Sequence, residues 1–291
     1  MENVPGRRLA GASPVILGPV MPTVGARPRS SFLAPFIESL HYHQGEIPEK
    51  LERILPGGRI HLMVNLYEDE FRTYHGPGCA AVHRTHGAVL GGPSSQATVI
   101  DTREQRCLVS VDFRLGGAAA FFRAPLGEAR DHLVELDQLW GREGAVLREE
   151  LLEAGRPEAM FQVLETVLLK QIVSPEHPDP AIPFAACAFE RGTPISDVAS
   201  RLGLLPKTFV RRFRAQTGLT PKRFSRVRRL QRMLGSIPDP SAADWAEVAL
   251  EHGYTDQTHL IHDFRDLTGL TPTAYRPRSA EEHNHVPVSG G

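Results

Sequence analysis

FRAQTGLTP, from Phe213 to Pro221, and FRDLTGLTP, from Phe264 to Pro272, are nearly the same phrase written twice near the C-terminal end of the chain. The two copies align beyond the shared words. Ile195-Ser-Asp-Val-Ala-Ser-Arg-Leu-Gly203 answers Trp245-Ala-Glu-Val-Ala-Leu-Glu-His-Gly253. Each unit reads as a short helix, a turn opened by Gly203 or Gly253, and a second helix, because glycine suits a helix end that reverses in the left-handed region. Pro206 fits the first position of one second helix, and Thr255 is expected to cap the other before Asp256 and Gln257. The second helices repeat an apolar spacing, Phe209 with Phe213 and Leu260 with Phe264, and both stop at a glycine, Gly218 or Gly269. The proline that follows each stop, Pro221 or Pro272, starts a new segment.

Two helices joined by a short glycine-containing turn make a helix-turn-helix. With Phe209 and Phe213 facing a core, side chains two positions away lie about 200° round the axis. That rotation exposes Lys207, Val210, Arg211 and Arg214 on one unit, and Gln257 or Thr258, Ile261, His262 and Arg265 on the other. Lys and Arg suit guanine edges, Gln suits adenine, and Val or Ile suits a thymine methyl. The base-contact candidates are therefore Lys207, Thr208, Val210, Arg211, Gln257, Thr258, Ile261 and His262. Phosphate contacts are expected from Arg214, Lys222, Arg223, Arg226, Arg228 and Arg265, while Arg229 is expected to brace the joining helix. Charge agrees: residues 184–235 hold 12 basic against 2 acidic side chains, and 236–278 hold 3 against 7, in a chain of net charge -1. A basic excess concentrated in this way fits a surface that meets polyphosphate, although a solvated helical face can also be basic.

The first half is written differently. Ile60, Leu62, Val64 and Leu66 alternate after the Pro56-Gly-Gly turn, and Val109, Val111, Phe113 and Leu115 alternate with Ser110, Asp112 and Arg114; both patterns predict strands. Arg148–Ala154 and Pro157–Val173 carry apolar residues at helical spacing. The expected fold class is α+β, a small β-rich N-terminal domain closed by helices and an all-α C-terminal domain of two helix-turn-helix units joined by a long helix. The expected divisions are a flexible leader over 1–30, a regulatory domain over 31–173, a proline-rich linker over 174–183, the double helix-turn-helix over 184–278, and a disordered tail over 279–291. Cys79, Cys107 and Cys187 are widely spaced and odd in number, which suits reduced, mostly buried thiols rather than a disulfide framework. No apolar run nears the roughly 18 residues that span a bilayer, and the N-terminus lacks a secretory layout, so no membrane partner and a cytoplasmic location are expected.

Residues 184–278 resemble the DNA-binding domain of AraC-type transcriptional regulators. The resemblance is carried by Gly-Leu-Thr-Pro after each second helix, by Phe213 and Phe264, by Arg223-Phe-Ser-Arg-Val-Arg-Arg-Leu-Gln231, and by the run from Gly253 to Phe264. Two departures stand out: Leu205 occupies the usual hydroxyl-bearing cap position, and the second recognition helix is acidic and poor in arginine. The segments Leu55-Pro-Gly-Gly58 and Asp112-Phe-Arg-Leu-Gly-Gly117 resemble, more loosely, the sensing domains found ahead of this module. The resemblance implies a sequence-specific regulator reading an asymmetric double-stranded DNA site across two successive major grooves. RNA polymerase, a small-molecule effector of unknown identity and a second copy of the chain are the further partners considered. No cofactor, catalytic residue or metal ligand is assigned, and GxSxG, GxxxxGK[ST] and HExxH are absent from the sequence. His41, His43 and Glu46, with His61, His75, His83 and His86 behind them, are similar to the HxH…E ligands of cupin barrels, but the Glu follows too closely and the expected preceding glycine is missing. Ordinary surface or core histidines are the favoured alternative. Two other classes stay in view: a metal-binding, cupin-like enzyme domain fused to a DNA-binding tail, and an architectural nucleic-acid-binding protein without an effector.

Overall fold

The computed structural model describes residues 23–47, 49–174 and 178–288. The strands are β1 (Thr23–Ala26), β2 (Ile37–Gln44), β3 (Leu51–Ile54), β4 (His61–Asn65), β5 (Glu70–His75), β6 (Ala81–His86), β7 (Ala88–Gly91), β8 (Thr98–Asp101), β9 (Cys107–Phe113) and β10 (Leu133–Glu135). Helices α1 (Leu136–Trp140), α2 (Arg142–Ala154) and α3 (Pro157–Gln171) follow. Then come α4 (Ala181–Glu190), α5 (Ile195–Arg201), α6 (Pro206–Thr217), α7 (Pro221–Ser236), α8 (Trp245–Glu251), α9 (Gln257–Thr268) and a last strand, β11 (His285–Pro287).

The strands pair antiparallel in two sheets, one in the order β1-β2-β9-β4-β7-β10 and the other in the order β11-β3-β8-β5-β6. Period-two alternation gives the first sheet two different faces. Leu62, Val64, Val109, Val111 and Phe113 pack with residues of α1 to α3 in one core, joined by Ile60 and Leu66 at the ends of β4. His61, opposite Asp112, and Met63, opposite Ser110, turn towards the second sheet instead. Leu115 leaves the expected row and packs against the first helix-turn-helix unit. Pro157 occupies the first turn of α3, where its missing N–H removes nothing.

Three boundaries differ from expectation. Residues 1–22 of the expected leader lie outside the described residues, but Thr23–Ala26 pair with β2, and Arg29 and Ser30 donate their N–H groups to the Glu165 carboxylate at 2.8 Å each. Order therefore starts before Ser31, because an open strand edge offers an extended chain its hydrogen bonds. In the expected linker, Ala181–Pro183 already form the first turn of α4; Pro183 is tolerated there because first-turn N–H groups have no intrahelical partner. The tail expected to be disordered is tied down through residue 288. Val286 is buried in the core of the second unit, and β11 extends the second sheet by pairing with β3. Arg278 pairs with the buried Glu52 and lies 3.3 Å from Glu49 and 3.4 Å from Glu282, while His285 Nδ1 meets Glu52 Oε2 at 3.1 Å. The cysteines are also less buried than expected: Cys79 and Cys107 are half-buried and Cys187 is exposed, all three unpaired.

The N-terminal half grips the two repeated turns. Gly218 and Gly269 both take the left-handed conformation, at φ 73° and 72°. A Cβ on Gly218 would lie 2.6 Å from Pro93 Cγ and 2.9 Å from the Leu126 carbonyl oxygen, whereas one on Gly269 would meet only the mobile end of Arg53, at 3.0 Å. Gly218→Ala is accordingly expected to destabilise the protein more than Gly269→Ala in urea unfolding. Each substitution should cost about 1–2 kcal/mol for the left-handed backbone, and the backbone clash at Gly218 should add to it. Arg278→Ala should cost about 3–5 kcal/mol by leaving Glu52 buried without its cation; a truly loose tail would leave the urea midpoint unchanged.

Candidate nucleic-acid interface

The first unit is α5, a turn through Gly203, and α6. Leu205 stands at the N-cap of α6 without a side-chain cap, and Pro206 at the first position presets the helical φ. Phe209 and Phe213 are buried, with ring centroids 5.8 Å apart, and Phe213 sits 5.3 Å from Phe224 of α7. This tilted aromatic cluster fixes the phase of α6. Lys207, Arg211 and Arg214 are exposed as a result, and Thr208 and Val210 half-exposed.

The second unit is α8, a turn through Gly253, and α9. Asp244 caps α8 by accepting from the Ala246 and Glu247 N–H groups. The expected cap of α9, Thr255, is displaced by Asp256, whose extended backbone lets its carboxylate accept the His259 N–H at 2.8 Å; Thr255 Oγ1 instead lies 3.0 Å from His259 Nδ1. Leu260 and Phe264 are fully buried, and Phe264 packs 6.1 Å from Trp245 and 5.7 Å from Tyr275. Gln257, Thr258, Ile261, His262 and Arg265 are exposed.

The shared phrase works as a helix stop. Thr217 Oγ1 donates to the Phe213 carbonyl at 2.9 Å and accepts from the Leu219 N–H at 3.2 Å; Thr268 repeats this with Phe264 at 2.7 Å and Leu270 at 3.1 Å. Glycine then reverses the chain. Thr220 caps α7 by accepting from Arg223, and Pro221 opens it, while Pro272 opens a single 3-10 turn. The threonine common to both copies is the sequence signal of this stop.

The phosphate candidates separate into two groups. Arg226 reaches Asp263 and Asp266, each at 2.6 Å, and the Nε of Arg228 donates to Glu190 at 2.9 Å. Both charges are already neutralised within the protein. Arg214 lies against the N-terminal half, its Nε 3.4 Å from where a Cβ on Gly127 would stand. Lys207, Arg211, Lys222, Arg223 and Arg265 make no ion pair among the described residues. Arg229 braces as expected: it donates to Asp263 at 3.0 Å and lies 4.1 Å above the Tyr254 ring. The buried Asp263, held by two arginines of α7, is the residue that sequence reasoning missed.

The histidines of the first half do not converge as a ligand set. His61 Nδ1 lies 2.7 Å from Asp112 Oδ1 and His41 Nε2 3.3 Å from Asp112 Oδ2. Burial alone would raise the Asp112 carboxyl, but the bonds from His41 and His61 hold it far below the usual carboxylate range. Burial, with the neighbouring His41, pushes His43 down to about 4. Glu46 is exposed and turned to Arg106 at 2.6 Å. His75, His83 and His86 are exposed on β5 and β6. Among the described residues only Glu68, Glu70 and Glu104 bring three ligand atoms together, and Arg72 lies among them. His61, His75 and His83 do line one cavity between the sheets, about 850 Å³ of empty space with its open mouth included. No described helix is long and apolar enough to cross a membrane.

Residues 198–278 match the family described as helix-turn-helix domain, and residues 27–135 match a domain of unknown function (DUF6597). No curated protein matches the chain. Among solved structures it is similar to ToxT from Vibrio cholerae, with a TM-score of 0.36 and 12% identity over 88% of this chain and 96% of that one. A ToxT structure with bound unsaturated fatty acid gives a TM-score of 0.37 and 8% identity over 88% and 94%. Those likenesses are loose. The sequence match and the duplicated geometry are not, and the C-terminal region is an AraC-type helix-turn-helix domain, which makes the chain a DNA-binding transcriptional regulator.

Proposed function

We propose that the regulator sets α6 and α9 into successive major grooves on one face of DNA, about 34 Å apart. The observation that carries this is the matched build of the two helices: buried Phe209 and Phe213, or Leu260 and Phe264, behind an exposed polar stripe. Lys207, Thr208, Val210 and Arg211 read one half of the site, and Gln257, Thr258, Ile261 and His262 read the other. The halves differ in sequence because the stripes differ. Lys222, Arg223 and Arg265 hold phosphates. The first unit, carrying the free cations Lys207 and Arg211, supplies more of the electrostatic affinity; the second adds discrimination.

The N-terminal domain senses a small molecule in the inter-sheet cavity. The cavity wall includes Ile54, Leu55 and Gln96. Leu55 is also buried in the core of the second unit, and the Ala97 N–H, next along from Gln96, donates to the Leu267 carbonyl of α9 at 2.9 Å. A ligand that shifts this wall therefore pushes directly on the second recognition helix. Pairing with a second copy, contact with RNA polymerase and a cytoplasmic location belong to the same proposal.

Genome-fragment selection with the purified chain at about 150 mM salt should enrich a two-part motif with parts roughly one helical turn apart. Arg211→Ala and Gln257→Ala should each relax a different part, at about 1–3 kcal/mol of discrimination; uniform binding by all three proteins would reduce the basic stretch to a phosphate grip. The salt dependence of affinity separates the two groups of arginine. Lys222→Ala should lower the slope of log affinity against log salt by about 0.9, and Arg228→Ala should leave it unchanged. An equal loss for both would mean that Arg228 abandons Glu190 for DNA.

A further inference from the structure

The chemistry of the inter-sheet cavity says what kind of molecule it takes. Its wall is apolar where Ile54, Met63, Phe71, Ile100 and Leu133 face inward. The wall charges are matched internally. Arg59 meets Glu38 at 2.6 Å, Arg72 meets Asp101 at 3.3 Å and Glu104 at 3.2 Å, and the Asp131 carboxylate accepts from Ser95 Oγ at 2.8 Å and from the Gln96 N–H at 3.0 Å. No wall charge is left to demand a counter-ion.

Two buried wall atoms, in contrast, have no hydrogen-bond partner: Nε2 of His61, a residue 5% exposed, and Oε1 of Gln105, a residue 2% exposed. The Gln105 oxygen is an acceptor. Asp112 is an ionised carboxylate and can only accept, so the His61 Nδ1 carries the proton between them, and Nε2 of the ring in its neutral form is an acceptor too. The amide NH2 of Gln105 is committed to the Asp101 carbonyl at 3.0 Å, which leaves its oxygen as the atom without a partner. Two buried lone pairs in an apolar wall favour a donor; a hydrocarbon leaves them bare, and a carboxylate or phosphate repels them.

We infer that this cavity binds a compact, uncharged, largely apolar molecule that donates a hydrogen bond from a hydroxyl or N–H group to His61 Nε2 and Gln105 Oε1. The inference rests on the N-terminal domain being a sensor, and it deepens that reading by naming the ligand class.

Calorimetric titration of the full chain with 4-methylphenol, 4-methylanisole and 4-methylbenzoate tests it, because the probes share a ring and differ in the polar group. 4-Methylphenol should bind at least ten-fold tighter than either of the others. His61→Phe should bring it down to the level of the ether, and Gln105→Met should act in the same direction if loss of the Asp112 bond prevents His61→Phe from folding. Met63→Trp, which fills the cavity, should abolish binding of all three. Ether or carboxylate binding as tight as the phenol would overturn the donor class while leaving a ligand cavity in place. If 4-methylphenol binds wild type no better than it binds Met63→Trp, the cavity is not a site for this class at all. Neither outcome touches the DNA selection, which succeeds or fails on α6 and α9 alone.

Discussion

Asp263 is a carboxylate buried in α9 and gripped by Arg226 and Arg229 from α7. A buried pair of this kind adds little net stability, since desolvation offsets much of the attraction, but it tolerates only one geometry. The direction of the second recognition helix relative to the joining helix depends on it. Arg229 extends the hold to the turn, through the Gly253 carbonyl at 3.3 Å and the face of Tyr254. On its apolar side α7 serves both units, with Phe224 in the core of the first and Val227, Leu230, Met233 and Leu234 in that of the second. One helix thus sets the spacing of two stripes.

The clamp changes how the charge of this region is counted. Residues 184–235 hold 12 basic side chains, but Arg226, Arg228, Arg229 and Arg212 are occupied by carboxylates of the same chain. Lys207, Arg211, Lys222 and Arg223, which make no ion pair among the described residues, lie on the exposed side of α6 and at the start of α7. The two units also begin their recognition helices differently. Pro206 adds no charge at the start of α6, whereas Asp256 places a carboxylate over the positive end of the α9 dipole. That carboxylate stabilises the helix and weakens the pull of its N-terminus on an anion.

The N-terminal half is wired into this frame through short loops. Leu55-Pro-Gly-Gly58 lies on α7, where Gln231 Nε2 donates to the Pro56 carbonyl at 2.8 Å and Gly58 approaches Val227. The run from Asp112 to Gly117 starts at the shared carboxylate of His41 and His61 and carries Leu115 into the core of the first unit. The two segments that resembled a sensing domain are therefore docking surfaces for the reading half.

How much was legible follows the range of the interactions concerned. The duplicated helix-turn-helix, the glycine stops, the inward faces of β4 and β9 and the helix opened by Pro157 could all be read directly, because a period of two or 3.6 residues and the dihedral limits of Gly and Pro act between neighbours. The exposed stripes came from the same periodicity, once Phe209 and Phe213 were taken as core. Other features depend on groups far apart in the chain. The tail became a strand as Arg278 and His285 met the buried Glu52, and Thr23–Ala26 became a strand because the edge of β2 was open. Nothing local marks Asp263, whose burial and pairing depend on α7 lying beside it. The partners of His41 and Glu46, Asp112 and Arg106, come from elsewhere in the chain. Local spacing by itself determined which segments are helices, strands and stops; only tertiary contact decided which charges remain free for DNA and which polar atoms face the cavity, because pairing depends on what another part of the chain brings within reach.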